Sequence, residues 1–192
     1  NNKAMTDLLM AELAEGKGRF IDQLINASFL YCEMTSWALS AHLSAQRSHR
    51  SLPDYTEHVI DLTAGDVGSI LSWIYYYFHD AFDQVNPIIA QRLRHELQVR
   101  ILDTYMQESR FWWMAFNAKP TTMVNNWNPW CNFNVLQCFL LLEQDEEKLA
   151  QAVHRTMVSV DKYLNYVHSD GACEEGPSYW GHAAGKLYDY LQ

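Results

Sequence analysis

The sequence predicts an all-α fold made of helical hairpins. Apolar residues recur every three or four positions over long stretches, which is the period of an amphipathic helix. No run of alternating apolar and polar residues with a tight turn indicates a β-hairpin. The 192 residues are 48% hydrophobic, which is enough for one well-filled core in a single domain.

The first predicted helices occupy the N-terminal half of the chain. One long helix is expected over residues 19–46. A loop around Pro53 separates it from a second helix, which Asp66 can cap. Pro87 suits the first turn of a third helix. Residues 110–124 then form an aromatic connection, whose Trp and Phe side chains we expect in the core.

The second half predicts a helix of a different kind. Residues 129–143 are apolar almost all round, which is typical of an internal helix, whereas the helix that follows is amphipathic. Residues 169–178 form a loop before a last helix that starts near Tyr179. This alternation fits two concentric layers, so we expect residues 1–192 to form an incomplete α/α toroid. A simple bundle or a solenoid fits the same pattern.

Composition excludes several classes of function. The formal net charge of −9 and the lack of a basic stripe argue against nucleic acid as a partner. No stretch of 18 apolar residues is present to span a membrane, and residues 1–20 lack the apolar core of a signal peptide. The chain starts without Met and stops inside a helical pattern, so we expect it to be a piece of a longer protein.

The cysteines do not indicate a metal site. Their spacing matches neither a CxxC pair nor a zinc finger, and Cys131 and Cys138 are about two helical turns apart, beyond the reach of a disulfide. We therefore predict buried thiols at all four positions, which are Cys32, Cys131, Cys138 and Cys173.

Two polar and aromatic runs are the most informative feature. NNWNPW occupies residues 125–130 and EEGPSYW occupies residues 174–180, each at the start of an apolar periodic segment. An inner helix of roughly 15 residues rises about 22 Å, and an outer helix of similar length returns the chain to the same rim. The two runs should therefore meet, beside helix N-termini that attract an anion such as a sugar acid.

Each of these residues also has a purely structural interpretation. Single asparagines commonly cap helices, and acidic residues such as Glu174 and Glu175 are common in a first helical turn. Tyr179 alone would be a good core residue. His182 follows it by three positions, on the same helix face, where a histidine more often packs than transfers protons. Three amides interleaved with indoles are harder to explain structurally, because exposed indoles suit sugar rings.

Four stretches carry a family resemblance: residues 125–134, residues 170–192, YCEMTSWALSAHLSAQ from Tyr31 and RFWWMAFNAKP from Arg110. They resemble the α/α-toroid domain of the heparinase II/III-like polysaccharide lyases. The resemblance covers most of the chain. It implies β-elimination, in which the C5 proton of a uronic acid is removed and the C4 oxygen is expelled. It also implies that Asn126 neutralises the uronate carboxylate and that Tyr179 acts as acid or base.

The predicted site follows from these assignments. Its catalytic residues are Tyr179, Asn126 and His182, the last as a substitute for a missing base. Its substrate-binding residues are Asn125, Asn128, Trp127, Trp130, Glu175 and Trp180. The family's Asn-His pair is Asn126-Trp127 here, so this position does not supply the second base that the resemblance implies.

The resemblance also implies partners and a location. A β-sheet domain that follows the toroid in the family, with a further histidine and sometimes a structural zinc, is absent, and no cofactor or metal is expected in this chain. The expected substrate is an acidic polysaccharide, heparan sulfate-like first, degraded in the periplasm or outside a bacterium. A sulfated substrate would require cations in the cleft, such as Arg47, Arg50, Arg110 or Lys119.

Two other functions remain open. A glycoside hydrolase on a similar toroid needs two carboxylates about 5–9.5 Å apart. Glu174 or Glu175 would then need a partner from another hairpin, such as Asp66, Glu33 or Glu57. The third possibility is a non-catalytic glycan-binding helical domain.

Overall fold

Eight α-helices and no strand make up the described part of the chain, residues 2–172 and 175–192 of a computed structural model. The prediction of an all-α fold is confirmed. No helix in these two ranges has both the length and the apolar character to cross a bilayer. The helices are α1 (Asn2–Glu15), α2 (Ile21–Cys32), α3 (Leu62–Val85), α4 (Pro87–Leu97), α5 (Thr104–Gln107), α6 (Trp127–Leu142), α7 (Glu146–Tyr166) and α8 (Trp180–Leu191).

Helix α6 lies at the centre of the packing that positions the candidate site. It packs against α3 on one side and α8 on another, and it forms a hairpin with the amphipathic α7. Asp145 caps α7, because its carboxylate accepts hydrogen bonds from the backbone N–H groups of Glu147 and Lys148. The expected pair of an internal helix and an amphipathic neighbour is therefore present at residues 127–166.

The third predicted helix begins as expected and continues through an unusual segment. Pro87 is its first residue, and Asn86 caps it by accepting a hydrogen bond from the N–H of Ile88 at 3.0 Å. A π-helical segment, Gln98–Asp103, joins α4 to α5. A Cβ on Gly68 of α3 would lie 2.8 Å from Cγ1 of Ile101, so α3 approaches this segment closely only because position 68 has no side chain.

The long first helix predicted over residues 19–46 is wrong in its second half. Helix α2 ends at Cys32, and a 3-10 turn, Ser40–Ala45, follows an irregular stretch. Arg92 donates to the carbonyl of Cys32 at 3.0 Å, and Arg100 donates to that of Met34 at 2.7 Å. These guanidinium groups satisfy carbonyls that a continuing helix would have bonded internally.

The prediction that Asp66 caps α3 is wrong, because Asp61 is the capping residue. The carboxylate of Asp61 accepts from the N–H of Ala64 at 2.7 Å, so the helix starts at Leu62. Asp66 lies inside the helix and accepts hydrogen bonds from the side chains of Trp130 and Asn134, at 2.7 and 2.8 Å. Its role is to join α3 to α6.

Burial follows the prediction at the cysteines and departs from it at one tryptophan. Cys32, Cys131 and Cys138 are buried free thiols, while Cys173 lies outside the described residues. Trp113 is in the core, but the prediction that Trp112 is there too is wrong, since that side chain is 53% exposed. The 3-10 turn Trp112–Met114 points these two neighbouring indoles to different sides.

Candidate functional site

The first polar run lies at the start of α6, where Asn125 bonds to the first turn of the helix. The Oδ1 atom of Asn125 accepts a hydrogen bond from the N–H of Trp127 at 3.1 Å, and its carbonyl accepts from the N–H of Asn128 at 3.1 Å. The side chain of Asn125 therefore forms a turn with the first residue of α6. Asn126 occupies the N-cap position, but its side chain makes no capping hydrogen bond.

Asn126 is the most unusual polar residue of the site. It is only 2% exposed, and within the described chain its Oδ1 atom has no hydrogen-bond partner. An amide buried in this way costs about 1–3 kcal/mol unless a ligand satisfies it. Its side chain lines a cleft, so a bound molecule can supply the missing partner.

The cleft at Asn126 joins both polar runs. The space inside it is about 20 Å³, which is room for about one water molecule, so only a small group such as one carboxylate oxygen can reach Asn126. Glu175 of the second run lies on its wall beside Asn125 and Asn126. The remaining lining residues are Val124, Tyr163, Tyr166, Val167, His168 and Ala172. The end of α7 and the loop after it thus return the chain to the start of α6.

A second contact between the runs is a stack of rings. His182 of α8 lies on the indole of Trp130, with ring centroids 4.9 Å apart and planes 9° from parallel. The ring of Tyr179, in the 3-10 turn Pro177–Tyr179, is 5.9 Å from that of His182. Asp66 fixes the indole of Trp130 through the 2.7 Å hydrogen bond. Tyr179 is 47% exposed at the end of the stack.

One cation accompanies this stack. The Nζ atom of Lys186 lies 5.7 Å from the ring centroid of Trp130 and 4.9 Å from that of Phe133. Its carboxylate neighbour is Asp189, at 3.5 Å, on the exposed side of α8. The stack therefore combines a phenol, an imidazole and an ammonium group on one side of α6.

Asn128, a predicted substrate-binding residue, lies in the scaffold. It is fully buried, and its amide N–H groups donate to the carbonyl of Trp113 at 2.8 Å and to that of Ser159 at 3.0 Å. These bonds join α6 to α7 and to the aromatic connection. Asn128 supports the site from behind and has no surface to offer a substrate.

The remaining predicted indoles face elsewhere. Trp127 lies in a neighbouring cleft, where its ring centroid is 4.7 Å from that of His42 and 5.0 Å from that of Trp112. Trp180 is 59% exposed, with no ring contact inside the described ranges. The first turns of α6 thus serve three adjoining surfaces.

The cations proposed from sequence are mostly occupied. Arg47 pairs with Glu108 at 2.6 Å, and Arg110 pairs with both Glu108 and Glu57. Lys119 lies on a different cleft, next to Lys162, that shares Val124 and Tyr166 with the cleft at Asn126. No lysine or arginine of the described chain lines the cleft at Asn126 itself.

The carboxylates give little support for a hydrolase. Glu57 is held by Arg110, and Asp66 is held by Trp130. Glu33 is exposed and lies 3.6 Å from Arg92. Glu175 is the one carboxylate that lines the cleft at Asn126 within the described residues, and Glu174 lies outside them.

One contact in this region is not predicted from the sequence, the pair His42 and Asp61. The Nδ1 atom of His42 lies 2.6 Å from Oδ2 of Asp61. His42 stands in one of the stretches that carry the family resemblance, and Asp61 directly precedes the apolar start of α3. That N-cap pattern was available as a signal, but the 19-residue separation of the two residues hides their contact.

Comparison with known proteins adds no assignment. No protein-family model matches the chain, and no curated protein matches it. Across residues 2–172 and 175–192, no three His, Cys, Asp or Glu side chains are grouped so as to hold a metal ion. The function has to be inferred from the motifs and from the geometry around α6.

Proposed function

We propose that the chain is the helical domain of a polysaccharide lyase that cleaves uronic-acid-containing glycans by β-elimination. The observation that carries this proposal is the buried Oδ1 atom of Asn126, which has no partner among the described residues and lies in a cleft shared with the second polar run. Heparan sulfate-like chains are the first substrate class. We further propose that the helices form an incomplete α/α toroid and that a β-sheet domain of the parent protein supplies the other wall.

The chemistry requires that the uronate carboxylate be neutralised first. Proton removal at C5 places more negative charge on that carboxylate, so N–H donors aimed at it stabilise the transition state. Rotating the Asn126 amide by half a turn exchanges its oxygen and nitrogen, so its N–H group can occupy the unpartnered end. The N-terminus of α6 adds positive partial charge at the same place.

Proton transfer is assigned to Tyr179. In the proposed reaction the C5–H bond and the C4–O bond break, a C4–C5 double bond forms, and the leaving oxygen takes up a proton. Tyr179 exchanges one of these protons through its hydroxyl, which bonds to no residue of the described ranges. His182, held on the indole of Trp130, is the proposed second proton-transfer group.

The other predicted residues have lesser roles in this proposal. Asn125 and Glu175 line the cleft and bind sugar hydroxyls, the exposed indole of Trp180 supplies a ring face, and Trp130 holds His182 in place. Asn128 is left out because it is fully buried. A polymer of this kind is degraded outside the cytoplasm, so we place the parent protein in the periplasm or outside a bacterial cell.

The experiment is an ultraviolet assay of the full-length parent protein on heparan sulfate, chondroitin and alginate. A C4–C5 double bond next to a carboxylate absorbs in the ultraviolet, so a lyase gives rising absorbance with each new chain end. Tyr179→Phe should lower kcat by about 10²- to 10⁴-fold, the usual contribution of a general acid or base. Tyr188→Phe, a change at an exposed tyrosine of α8, should leave the rate unchanged.

Each alternative predicts a different result. New reducing ends without ultraviolet absorbance would show a hydrolase. Binding of these glycans without turnover by the unmodified protein would favour a non-catalytic glycan-binding domain, which the exposed indoles of Trp112 and Trp180 also suit. Unchanged product formation by Tyr179→Phe would remove the assigned role of that residue.

A further inference from the structure

We propose that a second saccharide-binding subsite lies beside the cleft at Asn126, with the imidazole of His42 as its polar anchor. In this subsite Nε2 of His42 accepts a hydrogen bond from a hydroxyl of a pyranose ring that packs on indole faces. The inference rests on the proposed function for its class of ligand, a glycan chain, but not for any step of the reaction. Its residues are His42, Asp61, Trp112 and Trp127.

The orientation of His42 is fixed by a buried carboxylate. Asp61 is 1% exposed, and it accepts hydrogen bonds from the backbone N–H groups of Leu39 at 3.0 Å and Ala64 at 2.7 Å. The third partner of this carboxylate is Nδ1 of His42, at 2.6 Å. A carboxylate only accepts, so Nδ1 carries the hydrogen and the neutral ring has its lone pair on Nε2.

The other ring nitrogen is available to a ligand. No residue of the described chain hydrogen-bonds Nε2, and the His42 side chain is 26% exposed. Asp61 thus acts as a positioning residue, which sets both the tautomer and the direction of the imidazole. The same carboxylate caps α3, so the position of His42 is tied to the fold.

Two indoles lie beside this imidazole. The ring of Trp127 contacts His42 edge-on at 4.7 Å, and the ring of Trp112 lies 5.0 Å from that of Trp127. Trp112 is 53% exposed although it stands in an otherwise buried aromatic stretch. Exposed indole surface is unfavourable in water, and it suits the apolar C–H face of a sugar ring.

The cleft has the size and the lining of a small-molecule site. Its volume is about 300 Å³, at the lower end of the range of about 300–1,000 Å³ that is usual for ligand sites. Apolar walls surround the one imidazole and its carboxylate, and they include Ala41, Ala45, Val59, Ile60 and Phe111. Few, well-placed polar groups in an apolar cleft are typical of ligand binding.

The subsite begins at the residue that follows Asn126. Trp127 and Asn126 are consecutive in the chain, and each side chain lines its own cleft at the start of α6. A glycan bound at Asn126 can therefore extend along this rim toward His42. Long oligosaccharides should use both places, whereas the shortest should occupy one.

Two substitutions of His42 separate ligand binding from a purely structural role. In His42→Asn the amide nitrogen takes the place of Nδ1 and keeps the bond to Asp61, but nothing remains at the Nε2 position. In His42→Gln the longer amide reaches the Nε2 position and gives up the bond to Asp61. If His42 binds ligand, His42→Asn should weaken glycan binding because it removes the bond at the Nε2 position. His42→Gln should lower stability instead, because it removes the bond to Asp61.

The measurement is calorimetric binding of oligosaccharides of increasing length from heparan sulfate, chondroitin and alginate. It uses the full-length protein carrying Tyr179→Phe, so that ligands are not consumed. His42→Asn should weaken binding of the long oligosaccharides about three- to tenfold, the usual effect of one lost hydrogen bond, with little effect on the shortest. His42→Gln should bind within about twofold of the parent while its Tm falls.

The indoles supply an independent test. Trp112→Ala should weaken the binding of long oligosaccharides by about tenfold, because the apolar contact with the indole is lost. Tyr76→Ala is the control. It removes a half-exposed ring about 21 Å along α3 from Leu62, the first residue of that helix, and should leave glycan binding unchanged. Equal binding by His42→Asn and the parent, or no glycan binding at all, would overturn the subsite. If long and short oligosaccharides bound equally well while the unmodified protein still cleaved the polymer, the subsite would be overturned and the lyase proposal would stand.

Discussion

At the scale of single residues, the buried asparagines at the start of α6 differ in how many of their hydrogen bonds are made. Asn132 uses its whole amide, donating to the carbonyl of Asn128 and to Oγ of Ser159 at 2.8 Å each and accepting from the hydroxyl of Tyr105 at 2.8 Å. Asn126 bonds to none of the described side chains. The Oδ1 atom of Asn128 is also buried without a partner in the described chain, so what distinguishes Asn126 is that its side chain lines a cleft.

Substitutions of Asn126 and Asn128, at the start of α6, should separate stability from activity. Asn128→Ala leaves the buried carbonyls of Trp113 and Ser159 without their donor, and the free energy of unfolding should fall by about 2 kcal/mol. Asn126→Ala removes an unpartnered amide, so the free energy of unfolding should stay constant or rise while turnover of the uronate polymer is lost. Urea unfolding of both variants beside the ultraviolet assay gives the two readouts. The reverse order of stabilities would show that Asn126 is structural.

These asparagines also show how far sequence alone could predict the site. Residue types and the helix start were available, because amides before an apolar periodic segment are a local pattern. The direction of each side chain was not, since consecutive residues on a helix point about 100° apart and only the packing of α3, α7 and α8 decides what lies there. Thus Asn126 reaches a cleft while Asn128, two positions on, is enclosed.

At the scale of elements, the end of α2 depends on side chains that lie far away in sequence. Glu96 holds Arg92 at 2.7 Å and Arg100 at 2.6 Å, and both arginines donate to carbonyls at the end of α2. Burial raises the pKa of the Glu96 carboxyl, but the hydrogen bonds and charges of the two arginines outweigh it and leave the pKa below its ordinary value. Local periodicity continues through Trp37, so no local signal marks this end.

Arginine substitutions test this long-range cap. Arg100→Met removes a guanidinium that is almost fully buried and leaves Oε2 of Glu96 and two carbonyls unsatisfied, which should cost about 3–5 kcal/mol. Arg47→Met breaks the exposed pair with Glu108 and should cost at most about 1 kcal/mol. Hydrogen exchange should show lost protection at the end of α2 in the first variant alone. Equal costs for the two substitutions would contradict the assigned cap.

At the scale of the whole molecule, the buried thiols report on one continuous core. Cys32 belongs to α2, and Cys131 and Cys138 belong to α6, yet all three lie in the same apolar cluster. Burial raises the pKa of Cys32 to about 11 and that of Cys138 to about 12, and it raises the pKa of Cys131 well above its ordinary value. In the folded protein these thiols therefore stay protonated at pH values where free thiols ionise.

The shifted pKa values predict a loss of stability in alkaline solution. Unfolded thiols ionise near pH 8.5, so above that value the unfolded chain binds fewer protons than the folded one. Each buried thiol should then lower the free energy of unfolding by about 1.4 kcal/mol per pH unit, from about pH 8.5 until its folded pKa is reached. Below pH 8.5 this contribution to stability is fully present. Urea unfolding between pH 7 and about 10.5 measures the slope, and Cys138→Ala should reduce it by one thiol's share. An unchanged slope in that variant would show that Cys138 ionises in the folded core, and hence that α6 is not sealed from solvent at that depth.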